Sequence, residues 1–219
     1  MKTSLMTAFL AAAFAVAAPS ASAQILVDTD PIHVPVEGYV VTPASDTLRG
    51  KVAVIMVNGY VTQISFRSAR GADKVKYGPD DLLAFSQQRP DLLRDYTDLT
   101  SIDKEQVHYE SKEHPKRPGK KVFMERLMDG KKIRVYNNAT GGEKSTSFAG
   151  YKLSEKETSY VVQKGDARPF LLRKNNYEEE FDALFGDCPA FAAYAKSQPD
   201  LRKFRQLGQV IEQYNHQCK

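Results

Sequence analysis

The hydrophobic positions divide the chain into three regions with different periods. Leu5 to Ala18 is an uncharged run of small and apolar residues. Over residues 36–173, short segments alternate between apolar and polar positions, which is the period of a half-buried β-strand. From residue 174 onward, apolar residues recur at helical spacing. The pattern therefore predicts an α+β protein, with an antiparallel β-rich body followed by a small C-terminal helical segment of about three helices.

The first apolar run has the features of a secretory signal peptide. Lys2 gives it a positive start, Pro19 ends it, and Ala21-Ser22-Ala23 supplies the small residues of a cleavage site. Because the run is too short for a membrane span, we expect cleavage after Ala23 and a periplasmic or extracellular mature protein without a span. Residues 24–35 contain two prolines and are expected to form a linker or an edge strand.

Three strands are expected at the start of the body. Residues 36–42 and 46–57 are rich in β-branched side chains, and the second segment ends at Asn58-Gly59, the strongest short sequence signal for a hairpin turn. The segment after the turn alternates strictly. It should therefore place Val61 on one side of its strand and Ile64 on the other.

The rest of the body contains further strand and turn signals. Residues 75–77 could finish a strand, and Pro79-Asp80-Asp81 resembles a helix start, so short helical turns or an irregular connection are expected over residues 73–98. A strand is expected over residues 106–111, and hairpins are expected around Asp129-Gly130 and Lys164-Gly165-Asp166. Polar loops are expected over residues 112–121 and 137–150.

Three helices are expected in the C-terminal segment, residues 174–219. Asn175 or Asn176 could cap the first helix, and Pro189 and Pro199 stand at the first positions of the second and third. The apolar face of the first helix consists of Tyr177, Phe181, Leu184 and Phe185.

Cys188 and Cys218 are the only cysteines of the chain. In an exported protein, such a pair predicts a disulfide. The two residues lie at the start of the second predicted helix and at the end of the third, and antiparallel helices would bring them together. Their spacing differs from that of a catalytic Cys-x-x-Cys pair, so we interpret them as a structural staple.

The composition is that of an ordinary soluble globular protein, with 26% charged and 42% hydrophobic residues and a formal net charge of +4. This weak positive charge identifies no nucleic-acid partner, and none is expected. The positive side chains do suggest one basic patch that could meet a polyanionic surface. Its members are Lys116, Arg117, Lys120, Lys121, Lys131, Lys132 and Arg134.

The sequence contains no recognisable catalytic, cofactor-binding or metal-binding motif. We therefore predict no catalytic, cofactor-binding or metal-binding residue and no cofactor. A Gly-x-Ser-x-Gly elbow and a His-Glu-x-x-His pair are both absent from the sequence. His108 and His114 could share a metal only if Glu110 or Glu113 completed the site. The carboxylates available to a hydrolase of the glycosidase type are Asp80, Asp81, Glu125 and Asp129.

Several segments resemble a family of secreted or periplasmic proteins from Bacteroidota-type bacteria. The segments EGYVV at 37–41 and DTLRGKV at 46–52 are similar to the opening of those mature proteins, with Ser45 in place of a usual glycine. The hairpin at 122–130 and the tail at 185–218 are similar as well. The resemblance implies an envelope location and the same order of strands and helices. Since the family has no assigned activity, the resemblance adds no catalytic residue.

These observations favour an exported, non-enzymatic binding or interaction module. Its partner stays open at the level of sequence, with envelope proteins and polyanionic surfaces as candidates. The alternatives are a small secreted hydrolase that uses a carboxylate pair and a surface protein that binds polyanions through the basic patch.

Overall fold

The computed structural model describes residues 35–68, 73–88, 103, 105–138, 143–148, 151–156 and 159–218. The predicted signal peptide lies outside these ranges, as does the predicted linker apart from its last residue.

Twelve strands are followed by three helices in the described part of the chain, which confirms the α+β class. The strands are β1 Val36–Val41, β2 Thr47–Val57, β3 Tyr60–Arg67, β4 Val75–Tyr77, β5 Ala84–Gln88, β6 Gln106–Glu113, β7 Lys121–Met128, β8 Ile133–Asn137, β9 Glu143–Phe148, β10 Tyr151–Lys156, β11 Ser159–Lys164 and β12 Phe170–Arg173. The helices are α1 Tyr177–Phe185, α2 Pro189–Ser197 and α3 Leu207–Gln217. Two short 3-10 helices, Pro199–Arg202 and Phe204–Gln206, connect α2 to α3.

Ten of the strands form one antiparallel sheet in the order β12-β11-β8-β7-β6-β5-β1-β2-β3-β4. The sheet curls until β3 also pairs with β7, through Val61 and Phe123. Strands β7, β6, β5, β1, β2 and β3 therefore form a closed ring, and β8, β11 and β12 extend the sheet beyond it. Strands β9 and β10 pair with each other in a separate hairpin.

The ring encloses one of the two large apolar clusters. Phe85 stacks on Tyr109 with 4.5 Å between ring centroids and meets Phe123 edge-on at 5.0 Å. The other buried members are Val40, Val52, Val54, Val61, Ile64, Phe66 and Leu82. Because every strand of the ring contributes a side chain, this cluster explains why the sheet closes on itself.

A bulge in β3 changes the phase of the alternation predicted for this strand. Ile55 pairs with Gln63, but the next residue, Met56, pairs with Val61, so Thr62 has no partner on β2. The extra residue turns Val61 into the ring beside Ile64. The prediction that these two side chains face opposite sides was wrong for this reason.

The helices cover the extension of the sheet. Their apolar faces pack on Leu127, Ile133, Val135, Val162 and Leu172 and form the second large cluster. The predicted face of α1 is buried in it: Tyr177, Phe181, Leu184 and Phe185. The predicted Cys188–Cys218 disulfide is present and joins the start of α2 to the residue after α3. None of the helices in the described part of the chain is long and apolar enough to cross a membrane.

Pro79-Asp80-Asp81 lies in a turn, in which Gly78 N donates to Asp81 Oδ2 at 2.7 Å, and the chain then enters strand β5, which was not predicted. Two local predictions were wrong. The third helix begins at Leu207 and not at Pro199. Residues 137–150 include the whole of β9 in place of a continuous loop. Pro199 does start a helix, but it is a 3-10 helix that ends at Arg202, whereas residues 143–148 form a strand because they pair with β10.

Candidate functional site

The two basic runs of the sequence lie at opposite ends of β7. Residues 114–120 form the turn that enters this strand, and residues 129–132 form the turn that leaves it. An eight-residue strand separates the two turns by roughly 25 Å. The structure therefore divides the predicted patch into two surfaces. We call the first surface the basic loop. It is the turn at residues 114–120 with the first residue of β7, and its cations are Lys116, Arg117, Lys120 and Lys121. We call the second surface the distal run, which contains Lys131, Lys132 and Arg134.

The basic loop is held in one conformation by its own hydrogen bonds. His114 N donates to Lys120 O at 2.7 Å, and Arg117 N donates to His114 O at 3.1 Å. Gly119 N donates to Glu113 Oε1 at 3.1 Å. Gly119 has φ +75°, a conformation that a glycine adopts without strain. The backbone of the loop therefore forms an ordered turn.

A second loop supports the basic loop from a distant part of the sequence. Arg168, in the connection between β11 and β12, donates from Nη2 to the carbonyl oxygens of His114 and Pro115, at 3.2 Å each. Its Nε lies 3.1 Å from Glu113 Oε1. These contacts satisfy carbonyl groups of the basic loop and limit the conformations open to it.

Three cations of the basic loop are exposed and have no ion pair among the described residues: Lys116, Arg117 and Lys120. The fourth cation, Lys121, lies 3.3 Å from Asp80 Oδ1. Glu113 and Asp80 are the carboxylates in contact with the described loop, and they pair with Arg168 and Lys121, so the three remaining cations produce a local field that attracts anions. The ordered backbone keeps the attachment points of these side chains close together.

A buried polar row lies beneath these cations. His114 is only 7% exposed, and its ring packs against Tyr60 with 4.8 Å between centroids. Tyr60 Oη donates to Asn138 Oδ1 at 3.1 Å, and Asn138 Nδ2 donates to Ser159 Oγ at 2.8 Å. Lys116 N donates to His114 Nδ1 at 3.0 Å. Since Nδ1 accepts this hydrogen bond, the imidazole belongs to the loop's own bonding pattern.

The surroundings of His114 favour its neutral form. Burial lowers the pKa of His114, and the positive charges of Arg117, Lys120 and Lys116 lower it further. A neutral imidazole at neutral pH agrees with an Nδ1 atom that accepts a hydrogen bond.

The distal run serves the contact between the sheet and the helices. Arg134 Nε lies 3.5 Å from Asp129 Oδ1. The backbone N–H groups of Lys132 and Ile133 both donate to Asn215 Oδ1 at 3.0 Å. Within the distal run, the charge of Arg134 is thus paired with Asp129, and the backbone of Lys132 is hydrogen-bonded to α3, in contrast to the basic loop.

The half-buried carboxylate of Glu110, on β6, is the centre of an ion-pair network. Arg126 Nη1 lies 2.6 Å from its Oε1, and Lys112 Nζ lies 3.0 Å from its Oε2. Tyr136 Oη donates to the same Oε2 at 2.8 Å. Donors from β6, β7 and β8 therefore occupy both carboxylate oxygens.

The charge states of this network disfavour proton transfer. Burial alone would raise the pKa of Glu110, but the positive charge of Lys112 and the hydrogen bonds from Lys112, Tyr136 and Arg126 lower it below the usual value. Burial and the charge of Glu110 raise the pKa of Tyr136. An acid that stays ionised and a phenol that stays protonated are poorly matched to acid–base catalysis near neutral pH. The network is better suited to holding three strands together.

The two histidines considered as metal ligands are engaged separately. His108 Nε2 lies 3.1 Å from Asp103 Oδ2, and Tyr39 Oη lies 3.2 Å from His108 Nδ1. His114 directly follows the end of the same strand, six residues after His108. The two residues are therefore roughly 20 Å apart. The structure therefore does not bring these two histidines to one site.

The four carboxylates considered for a hydrolase each have a local partner. The contacts are Asp80 with Lys121, Asp81 with the Gly78 amide, Glu125 with Asn137, and Asp129 with Arg126 and Arg134. Within the described ranges, these contacts give no specific support to the hydrolase alternative.

Sequence reasoning missed the residues that support the basic loop. Tyr60, Asn138 and Arg168 come from β3, from the end of β8 and from the β11–β12 connection. Arg168 meets His114 across 54 positions of the chain. No local pattern marks such a contact, because it depends on how the sheet curls.

No protein-family model matches this chain, and no curated protein or solved structure matches it. Its function must therefore be inferred from the fold and from the charges and contacts of its own residues.

Proposed function

We propose that this chain is an exported binding protein that contacts a polyanion through the basic loop. The observation that carries the proposal is an ordered loop with three exposed cations, Lys116, Arg117 and Lys120, that have no ion pair among the described residues. An ordered loop loses less conformational entropy on binding than a flexible one. Closely spaced sulfate or phosphate groups on a polymer would supply the matching negative charges.

The surface chemistry favours a sulfated or phosphorylated glycan over a single-stranded nucleic acid. Single-stranded nucleic acids are held largely by bases that stack on aromatic side chains. Among the described residues, the exposed large apolar side chains are aliphatic: Leu48, Val57, Val75 and Leu83. Cations without an aromatic platform suit a partner recognised through its charge.

Export is supported by two independent features. The pattern of the first 23 residues is that of a cleaved signal peptide. The Cys188–Cys218 disulfide is the form that a cysteine pair takes in an oxidising compartment. Together they favour the periplasm or the cell exterior, where anionic envelope polymers are accessible.

Heparin is a suitable first probe, because it is a soluble chain of sulfate and carboxylate groups. The purified mature protein should be retained on immobilised heparin at about 50 mM salt and elute as the salt concentration rises. Replacing Lys116 and Lys120 with Ala removes two unpaired cations and leaves the backbone contacts of the loop in place. Heparin affinity should fall on the order of tenfold at low salt.

The matched control is Lys131→Ala with Lys174→Ala. This variant loses the same total charge, but from two exposed positions outside the basic loop. It should bind heparin nearly as well as the wild type. Passage of the wild type through the column at low salt would refute the proposal, and so would equal weakening in the two double variants. Stronger binding to single-stranded DNA than to heparin would favour the nucleic-acid alternative.

A further inference from the structure

The His114 side chain lies between the buried ring of Tyr60 and the backbone of the basic loop. Its Nδ1 accepts the N–H of Lys116 at 3.0 Å, while its ring packs on Tyr60. Its backbone oxygen accepts from Arg117 N and from Arg168 Nη2. The imidazole therefore contacts the loop backbone on one side and β3 on the other, while the backbone of His114 is held by Arg117 and Arg168.

The charged groups around His114 are mostly positive. Lys116, Arg117 and Lys120 belong to the basic loop, and Arg168 approaches from the β11–β12 connection. In the part of the chain that the structure describes, the carboxylate in contact with this group is Glu113, which already pairs with Arg168 at 3.1 Å. Among the described residues, the remaining titratable neighbour is Tyr60, whose ring packs on the imidazole. A proton on His114 would therefore add a positive charge to a positive surrounding.

We propose that polyanion binding at the basic loop is coupled to protonation of His114, so that the loop binds its partner more tightly at mildly acidic pH. This inference rests on the proposed function. A bound polyanion offsets the field of the three loop cations and so removes part of the cost of charging the imidazole. Thermodynamic reciprocity requires the converse: the protonated protein then binds the polyanion more tightly.

Without a partner, the coupling has the opposite consequence for the loop. The pKa of His114 in the folded protein is lowered by burial and by the loop cations. The stabilisation from neutral His114 is therefore present above the ordinary histidine range and is lost as the pH falls through the lowered pKa. Protonation also turns Nδ1 into a donor, which breaks the hydrogen bond from Lys116 N. In the free protein, acid protonates His114 and thereby destabilises the loop. A bound polyanion would stabilise this protonated form.

Nuclear magnetic resonance of the intact mature protein tests this directly. The imidazole resonance of His114 is titrated from about pH 7.5 to pH 5 with and without a saturating heparin fragment. The pKa of His114 should be higher in the presence of heparin. His216, exposed near the end of α3, serves as an internal reference and should shift much less.

Heparin affinity measured by calorimetry over the same range provides a second readout. It should rise roughly three- to tenfold between about pH 7.5 and 5.5 in the wild type. In His114→Gln, which keeps a hydrogen-bond acceptor but does not titrate, most of this rise should disappear.

The outcomes separate this inference from the function on which it rests. Heparin binding with an unchanged or lowered His114 pKa would overturn the coupling and leave the polyanion proposal standing. A pH dependence that His114→Gln retains in full would also overturn it. Absence of heparin binding at every pH would overturn both.

Discussion

The side chain of Asn215 replaces the missing hydrogen bonds of a hairpin turn. Its Oδ1 accepts the N–H groups of Lys132 and Ile133, and its Nδ2 donates to Ile133 O, all at 3.0 Å. A residue of α3 thereby closes the turn between β7 and β8. The contact also attaches the helical segment to the sheet.

Replacing Asn215 with Ala should reduce the free energy of unfolding by about 1–3 kcal/mol, because partly buried backbone groups lose their partners. Urea unfolding followed by circular dichroism measures this change. Glu212→Ala, at an exposed position of the same helix, should change stability by less than about 0.5 kcal/mol. Equal losses in the two variants would show that the Asn215 contacts do not stabilise the fold.

Two glycine turns illustrate what residue types can predict. Asn58 and Gly59 both adopt positive φ, 51° and 79°, as the hairpin signal predicted. Gly130 has no positive φ. A Cβ at this position would overlap the Asn215 amide, so its role is to make room for a residue 85 positions away. The first role can be read from the sequence, whereas the second exists only in the folded molecule.

At the scale of elements, the helical segment was the best predicted part of the chain. The face of α1 and the start of α2 at Pro189 agree with the predicted pattern. Asn176 differs: its side chain does not cap α1 but binds Arg173 N at 2.7 Å and Leu171 O at 3.1 Å. It thereby occupies backbone groups of the edge strand β12, which limits pairing with another chain.

The disulfide should stabilise the helices more than the ring. It closes a separation of 30 residues around α2 and α3, which form an apolar cluster apart from the ring interior. Replacing both Cys188 and Cys218 with Ser should lower the free energy of unfolding by roughly 2–4 kcal/mol. Hydrogen exchange should show lost protection in α2 and α3 and little change in β2.

The same exchange experiment contains its own control, since every strand is observed in the same sample. Equal loss of protection in β2 and α3 would contradict a local effect of the disulfide. Unchanged exchange throughout would contradict any stabilising role.

At the scale of the whole molecule, strand β7 is the element shared by both halves. Phe123, in its first half, packs inside the ring, whereas Leu127, in its second half, packs under the helices. The basic loop precedes β7, and the turn that contacts α3 follows it. One strand thus separates the proposed binding surface from the part that the disulfide staples.

The exported protein should begin at Gln24 and carry no free thiol. Mass spectrometry of the protein recovered from outside the cytoplasm, alkylated without reduction, should find Cys188 and Cys218 unmodified. A chain lacking residues 1–23 and kept in a reducing cytoplasm is the control, and both of its cysteines should be alkylated. Alkylation of both cysteines in the exported protein would contradict the prediction, as would an intact N-terminus.

The amino-acid pattern predicted the strand-rich body, the helical segment and the disulfide pairing, because periodicity, turn residues and cysteine count act over short distances or have few alternatives. It did not predict strands β5, β9 and β10. It did not determine the phase of β3, the closure of the ring or the division of the basic patch. Those depend on which strands meet after the sheet curls, and a single unpaired residue, Thr62, changes which side chains lie inside. Only the tertiary structure placed His114, Tyr60 and Arg168 under one basic loop, because burial and charge at that point are contributed by three separate parts of the chain.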